Sequence, residues 1–353
     1  MPHELENTED GSVELVLTGR AGWHGLGIVV KDAPSPKEAR RIAGLDWLVA
    51  QAPIHWQSPN GNKQIPKQIP KQVANYRTDK NIYLGTVSDG YKPIQNHELS
   101  DFCQALAENG DQVKIESAGS IRNGQKVWFL MQGASFSVRA ADEVCPYILA
   151  SNGHDGGTSM RLTHTTIRVV CSNTLHAVIP NREQEEGGFA GGLKMANFAC
   201  RHVGDIKEHV EAAKESLKLY GKSIQTTRNV MDRLAASDIN SEKMTEFLLQ
   251  CFVRDFGSIP LNPTSATEEN KAWRAKAALK AMLKRFETEK ALAGATLWNA
   301  FNSYTGWLQH EAKNDANAKD KTKAADARKA SVLFGTDSRR TQDSLLLALK
   351  MAG

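Results

Sequence analysis

Residues 146–170 read Pro-Tyr-Ile-Leu-Ala-Ser-Asn-Gly-His-Asp-Gly-Gly-Thr-Ser-Met-Arg-Leu-Thr-His-Thr-Thr-Ile-Arg-Val-Val, and this stretch decides the fold class. Two runs rich in β-branched and aromatic side chains, Tyr147–Ser151 and Met160–Val170, flank a turn of glycines and short polar residues, Asn152–Gly157. That pattern specifies a pair of antiparallel strands. It recurs upstream, where Val113–Gly119 and Lys126–Gln132 surround Arg122-Asn123-Gly124, and Asn-Gly is a strong hairpin signal. Val73–Tyr91 reads as two further strands with a turn at Thr78–Asn81, and Asp46–Trp56 reads as another. Between them Gln64–Gln72 repeats the unit Gln-Ile-Pro-Lys. Its two prolines forbid a helix and disfavour a central strand, so a hairpin tip or edge segment is expected.

Two helices interrupt the strands. Ser35 precedes Pro36 and stands three residues before Glu38, the signature of a capped helix start over Lys37–Ala43. Asn96 is expected to cap a second helix through Glu108, whose Leu99, Phe102, Cys103 and Leu106 fall on one face. After Leu175 the character changes. Glu183–Gly192 is polar and glycine-rich, and Lys207–Tyr220, Ser241–Phe252, Glu268–Lys290, Thr296–His310 and Ser344–Met351 all carry helical periodicity. Asn314–Lys329 is charged and alanine-rich, which suits a solvated helix or a flexible loop. Strands first and helices second predict an α+β protein: an N-terminal antiparallel β-rich domain with one or two helices, then a mainly α-helical region. The expected divisions are an arm over 1–22, the β-rich domain over 23–182, a linker over 183–193 and the helical region over 194–353.

Composition narrows the function classes. Hydrophobic residues make up 41% and charged residues 24%, enough for a packed core. No apolar run approaches the ~18 residues of a membrane span. Met1–Asp10 is acidic and polar, unlike a secretory leader, so a cytoplasmic protein with no membrane contact is expected. Cys103, Cys145, Cys171, Cys200 and Cys251 are scattered and form no CxxC pair, which predicts reduced thiols. The net charge of +4 is uneven: residues 1–193 hold 18 basic against 21 acidic residues, and residues 194–353 hold 26 against 19. The basic surplus of the second part suits contact with a polyanion.

Several blocks resemble a phage and plasmid family known only as domain of unknown function 932. They are Gly22-Trp23-His24-Gly25-Leu26-Gly27, the run Leu84–Asn96 (LGTVSDGYKPIQN), Pro146–Gly156, Arg168–Leu175 (RVVCSNTL) and Leu333-Phe334-Gly335. The resemblance implies a setting in mobile elements, beside recombination or anti-restriction functions. It implies no activity.

The turn Asn152–Gly157 carries His154 and Asp155, which are candidates for acid/base catalysis or metal ligation. The same turn could hold a phosphate on its backbone amides, or be a polar hairpin whose Asn and Asp serve the turn itself. Along the following strand Arg161, Thr163 and Thr165 should share one face, with Leu162, His164 and Thr166 on the other. Arg161 and Arg168 are candidate phosphate contacts, and Arg168 could equally pair with Asp155 or Glu143. His154, His164, Cys171, His176, Cys200 and His202 show no metal-site spacing, and no cofactor or metal is expected. Cys171 sits at an apolar strand end, where thiols are usually inert. No Walker loop, nucleophile elbow or dinucleotide fingerprint occurs.

The clearest electrostatic feature is Lys276, Lys280 and Lys284, spaced i, i+4, i+8 on one helix and flanked by Arg274 and Arg285. Leu279, Met282, Leu283 and Phe286 occupy another face. The aromatics Trp23, Trp47, Trp56, Tyr76, Tyr83, Tyr91 and Trp128 crowd the first half, where they could fill the core or stack bases. The expected function is binding of nucleic acid, single-stranded DNA in particular, in phage or plasmid DNA metabolism or recombination. Lys92, Arg161, Arg168, Arg274, Lys276, Lys280 and Lys284 would contact phosphates. A likeness in outline to phage single-strand annealing proteins implies a homo-oligomer. The alternatives are a hydrolase or nuclease centred on His154 and Asp155, and an anti-defence protein that binds a host protein.

Overall fold

The structure, a computed structural model, describes residues 13–19, 27–57, 66–109, 113–139, 142–168, 173–176, 178–180, 193–195, 197–200, 224–312 and 336–353. Its first part holds β1 (Leu15–Thr18), β2 (Ile28–Val30), α1 (Pro36–Ile42), β3 (Val49–Trp56), β4 (Lys67–Arg77), β5 (Ile82–Ser88), α2 (Asn96–Asn109), β6 (Lys114–Ile121), β7 (Lys126–Gln132), β8 (Phe136–Val138), β9 (Asp142–Gly153) and β10 (Met160–Arg168). The short strands β11 (Asn173–His176), β12 (Val178–Pro180), β13 (Leu193–Met195) and β14 (Asn197–Cys200) follow. The second part is helical: α3 (224–236), α4 (Ser241–Phe256), α5 (Ala266–Ala293), α6 (Leu297–His310) and α7 (Thr336–Met351). The α+β order read from the sequence is therefore the architecture of the chain.

A nine-stranded sheet runs β11-β10-β9-β7-β6-β1-β2, with β14 also on β10 and β8 also on β9. All its pairings are antiparallel except β1 with β2. A separate three-stranded sheet has the order β3-β4-β5. Helix α1 starts as predicted: Ser35 Oγ accepts from the Glu38 amide, and Glu38 Oε2 accepts in return from the Ser35 amide at 2.9 Å. On α2, Leu99, Phe102, Cys103 and Leu106 are buried and pack into a core shared with Val127, Phe129 and Ile148 of the large sheet. At ~1.5–3 kcal/mol per buried side chain, this stripe holds the helix in place.

Three expectations are corrected. The polar arm over 1–22 contains a core strand, because Val16 is fully buried and Leu15–Leu17 pair with β6. The segment after 193 contributes β13 and β14, and β14 completes the pairing of β10. Asn96 does not cap α2 with its side chain. Glu98 accepts from the Gln95 amide at 2.7 Å instead, and Asn96 turns inward. Among the described strands the proline-bearing repeat does lie at an edge: Lys67 and Gln68 pair with β3 alone, and β5 joins β4 only from Gln72 onward. The helix expected over Lys207–Tyr220, the loop Asn314–Lys329 and Cys171 lie outside the described residues.

The helical part builds its own core around α6, which is buried on every face from Leu297 to Gln309. A helix covered all round can keep polar residues only if they are bonded. Asn299 donates to the Phe286 and Gly294 carbonyls, Ser303 to Asn299 and Asn302 to Trp298. Val138 and Val144, from β8 and β9, belong to this helical core. Trp298 Nε1 also donates to the buried Asp142 Oδ2 at 2.7 Å, joining α6 to the sheet.

Candidate nucleic-acid interface

The turn singled out by its glycines is built into the protein. His154 is 0% exposed. Its amide donates to the Gln125 carbonyl at 2.8 Å and its carbonyl accepts from Asn75 Nδ2 at 2.9 Å. Its ring stands edge-on to Trp47, 5.5 Å between centroids. Asn96 Nδ2 donates to the Leu45 and Trp47 carbonyls, so Asn96 Oδ1 is the atom that faces His154 Nε2 at 3.0 Å. An amide oxygen only accepts. His154 Nε2 therefore carries the hydrogen. Asp155 Oδ1 accepts from the Gly157 amide at 2.9 Å and so serves the turn itself.

The turn rests on β5. A Cβ on Gly85 would meet the Asp155 carbonyl oxygen at 2.5 Å, so only glycine allows this approach. Tyr91 Oη donates to the Gly153 carbonyl at 3.0 Å, and burial, followed by the charge of Asp155, pushes its phenol well above the usual range. Asn152 Nδ2 donates to the Ile94 carbonyl at 2.8 Å. The run Leu84–Asn96 and the turn at 152–157 thus clamp each other and tie the small sheet to the large one.

Beside this clamp lies a second buried polar cluster. Arg77 is fully buried and bonds Glu14 Oε1 at 2.7 Å and Asp79 Oδ2 at 2.8 Å, with its guanidinium 4.3 Å over the Trp47 ring. Burial works against its charge, but the bonds from Asp79 and Glu14 prevail and its pKa rises. Lys80 reaches Glu14 at 3.6 Å, and Ser120 Oγ donates to Glu14 Oε2. Two cations thus balance two carboxylates, the condition for keeping charge inside a protein.

The remaining candidates fall on separate elements. On β10, Leu162, His164 and Thr166 are buried and Arg161 is exposed, as alternation requires. Thr163 is buried as well, so the face expected to carry Arg161 and Thr163 into solvent is partly covered. Burial lowers His164 to about 4. The Arg168 backbone pairs with Val144, and its side chain lies outside the described residues. Lys92 is exposed between β5 and α2. Among the described residues no group of three His, Cys, Asp or Glu side chains is placed to hold a metal ion. No described helix is long and apolar enough to cross a membrane.

The lysines of α5 do converge. Ser265 caps this helix, and its Ala275, Ala278, Met282 and Phe286 are buried. At ~100° per residue, Lys276, Lys280 and Lys284 lie opposite that buried face, with ~6 Å of rise between neighbours. All three are exposed, as is Arg274, and none forms an ion pair with a described residue. Arg285 departs from expectation: it bonds Glu311 at 2.5 Å and lies 3.8 Å from Glu289, so its charge is matched. Trp273, absent from the aromatics singled out in the sequence, is 68% exposed. It lies three residues before Lys276 and seven before Lys280, so the indole stands in line with the lysines. That spacing was the available signal.

The model of the family described as domain of unknown function (DUF932) matches residues 83–334. The chain belongs to the DUF932 family. No curated protein and no solved structure matches it. The DUF932 match takes in the whole clamp from Leu84 to Gly157, most of the helical core and the α5 stripe, and leaves out Gly22–Gly27.

Proposed function

We propose that this chain binds nucleic acid, preferring single strands, through the exposed face of α5. The observation that carries this reading is the alignment of an exposed indole, Trp273, with three lysines that have no carboxylate partner among the described residues. Ammonium groups at ~6 Å intervals track a phosphate backbone, and a solvent-facing indole offers a stacking surface beside them. Lys92 and Arg161 sit on elements of the other core and would act as outlying contacts. Assembly of several copies along one strand, and service in phage or plasmid DNA metabolism or recombination, belong to this proposal.

The alternative in which His154 and Asp155 perform hydrolysis gains no support from the geometry, since the imidazole is buried and bonded to Asn96. The test is fluorescence anisotropy with a labelled oligothymidylate. Binding at low salt that weakens steeply as salt rises is expected. An oligonucleotide that stays free at low salt would refute the reading.

A further inference from the structure

The three-stranded sheet presents a second surface that neither core uses. Asn75 and Arg77 of β4 point inward, to His154 and to Glu14 respectively. Tyr76 lies between them and must point outward, because successive residues of a strand alternate. Its cross-strand partners are Ala50 on β3 and Tyr83 on β5. The next row is Ala52, Ala74 and Thr86. The register shift on β5 leaves Leu84 and Gly85 both buried, which returns Thr86 to the outer side, where its hydroxyl meets Tyr83 Oη at 2.8 Å. Tyr83 is 57% exposed. Trp56, 51% exposed and paired with Lys67, lies on β3 beyond the register shift at Pro53–His55, ~20 Å along the strand from Ala50. Small alanines thus floor a surface from which Tyr76 and Tyr83 rise, with Trp56 exposed farther along β3.

The charge around this surface is one-sided. Residues 49–88 contain five basic residues, Lys63, Lys67, Lys71, Arg77 and Lys80, against one acid, Asp79; Arg77 and Lys80 are matched by Glu14 and Asp79, which leaves Lys67 and Lys71 as the unmatched cations on the described strands. Asp79 is held by Arg77. Lys67 is exposed and directly opposite Trp56, and Lys71 is exposed where β4 changes register. The segment is net positive within a half of the chain that is net negative, which the division at residue 193 conceals.

We propose that the outer face of β3-β4-β5 is a stacking platform for the bases of a single-stranded nucleic acid, with Tyr76, Tyr83 and Trp56 as base contacts and Lys67 and Lys71 as phosphate contacts. It rests on the reading of the chain as a nucleic-acid-binding protein and gives it a second contact, independent of α5. Unpaired bases offer their faces to aromatic rings, whereas paired bases do not. An uncharged peptide would gain nothing from the lysines, and a cationic partner would be repelled.

The experiment is anisotropy of a labelled oligothymidylate and of a duplex of equal length, on the full chain. Tyr83→Ala should weaken oligothymidylate binding about tenfold, the scale of one lost stacked base, with duplex binding unchanged. Tyr83→Phe and Tyr83→Trp should restore binding, since they keep the ring. Lys67→Glu with Lys71→Glu should flatten the salt dependence for single strands by roughly 1.4 units of logarithmic slope. Parent-like binding by both Tyr83→Ala and Trp56→Ala would overturn the platform while leaving the α5 reading intact. Equal loss on both probes, or loss explained by dissociation of an oligomer in light scattering, would overturn it too. If Lys276→Glu with Lys280→Glu and Lys284→Glu binds like the parent while Tyr83→Ala does not, the α5 reading fails and the platform stands.

Discussion

At the scale of single residues, His154 is a packing and hydrogen-bonding side chain. Its ring fills space against Trp47 and satisfies Asn96 Oδ1. His154→Ala should leave a cavity and an amide oxygen without its donor, at a cost of about 2–4 kcal/mol. Urea denaturation measures that loss, and a variant as stable as the parent would return His154 to the list of catalytic candidates. His164 makes a pH prediction. It titrates near 6.5 when unfolded and near 4 when folded, because burial disfavours its charge. Between those values the unfolded chain binds the extra proton, so stability present above pH 6.5 is lost as pH falls toward 4. The loss is on the order of 3 kcal/mol, and melting curves across that range in parent and His164→Gln separate it from other titrations. The sequence displayed His154 in a conspicuous turn. It could not show that Asn96, 58 residues earlier, closes on it, because that contact exists only once β5 and the 152–157 turn have docked.

At the scale of elements, local chemistry was legible wherever it was self-contained. The capping box of α1, the Arg122-Asn123-Gly124 hairpin and the apolar stripe of α2 are settled within a few residues, and each formed as read. Strands β1 and β14 were missed because a strand of four residues has too little periodicity to register, and its partner supplies the burial. On α5 the lysine spacing was plain, but Arg285 and Trp273 were not, since Glu311 reaches Arg285 from beyond α6. Lys276→Glu with Lys280→Glu and Lys284→Glu should reduce oligothymidylate affinity by at least 100-fold at low salt, on the order of ~1 kcal/mol per lost contact or more. Trp273→Ala alone should cost ~1–3 kcal/mol of binding and little stability, because the indole is exposed. Parallel anisotropy and thermal melts would show whether affinity falls without unfolding. Unchanged affinity in both variants would remove α5 from the interface.

At the scale of the molecule, the two hydrophobic cores formed by the described residues are joined through β8 and β9, whose Val138 and Val144 pack among the helices. Trp298 and Asp142 fasten the junction. The charge division by halves was visible in the sequence, but the unmatched Lys67 and Lys71 of β4 emerge only when ion pairs and strand pairings are known. Fold class was legible because strands precede helices along the chain. The proposed function was less so, because the most distinctive motif stabilises the sheets and the basic side chains on which the proposal rests lie on ordinary-looking segments.

The most direct test of nucleic-acid binding is an oligothymidylate titration of the full chain across a salt series. Contacts from Arg274, Lys276, Lys280 and Lys284 predict binding at low salt whose logarithm falls with the logarithm of salt at a slope of roughly −3, steepening to roughly −4 where Lys67 and Lys71 contribute as well. An oligonucleotide that remains unbound at the lowest salt, or binding that is indifferent to salt, would contradict it.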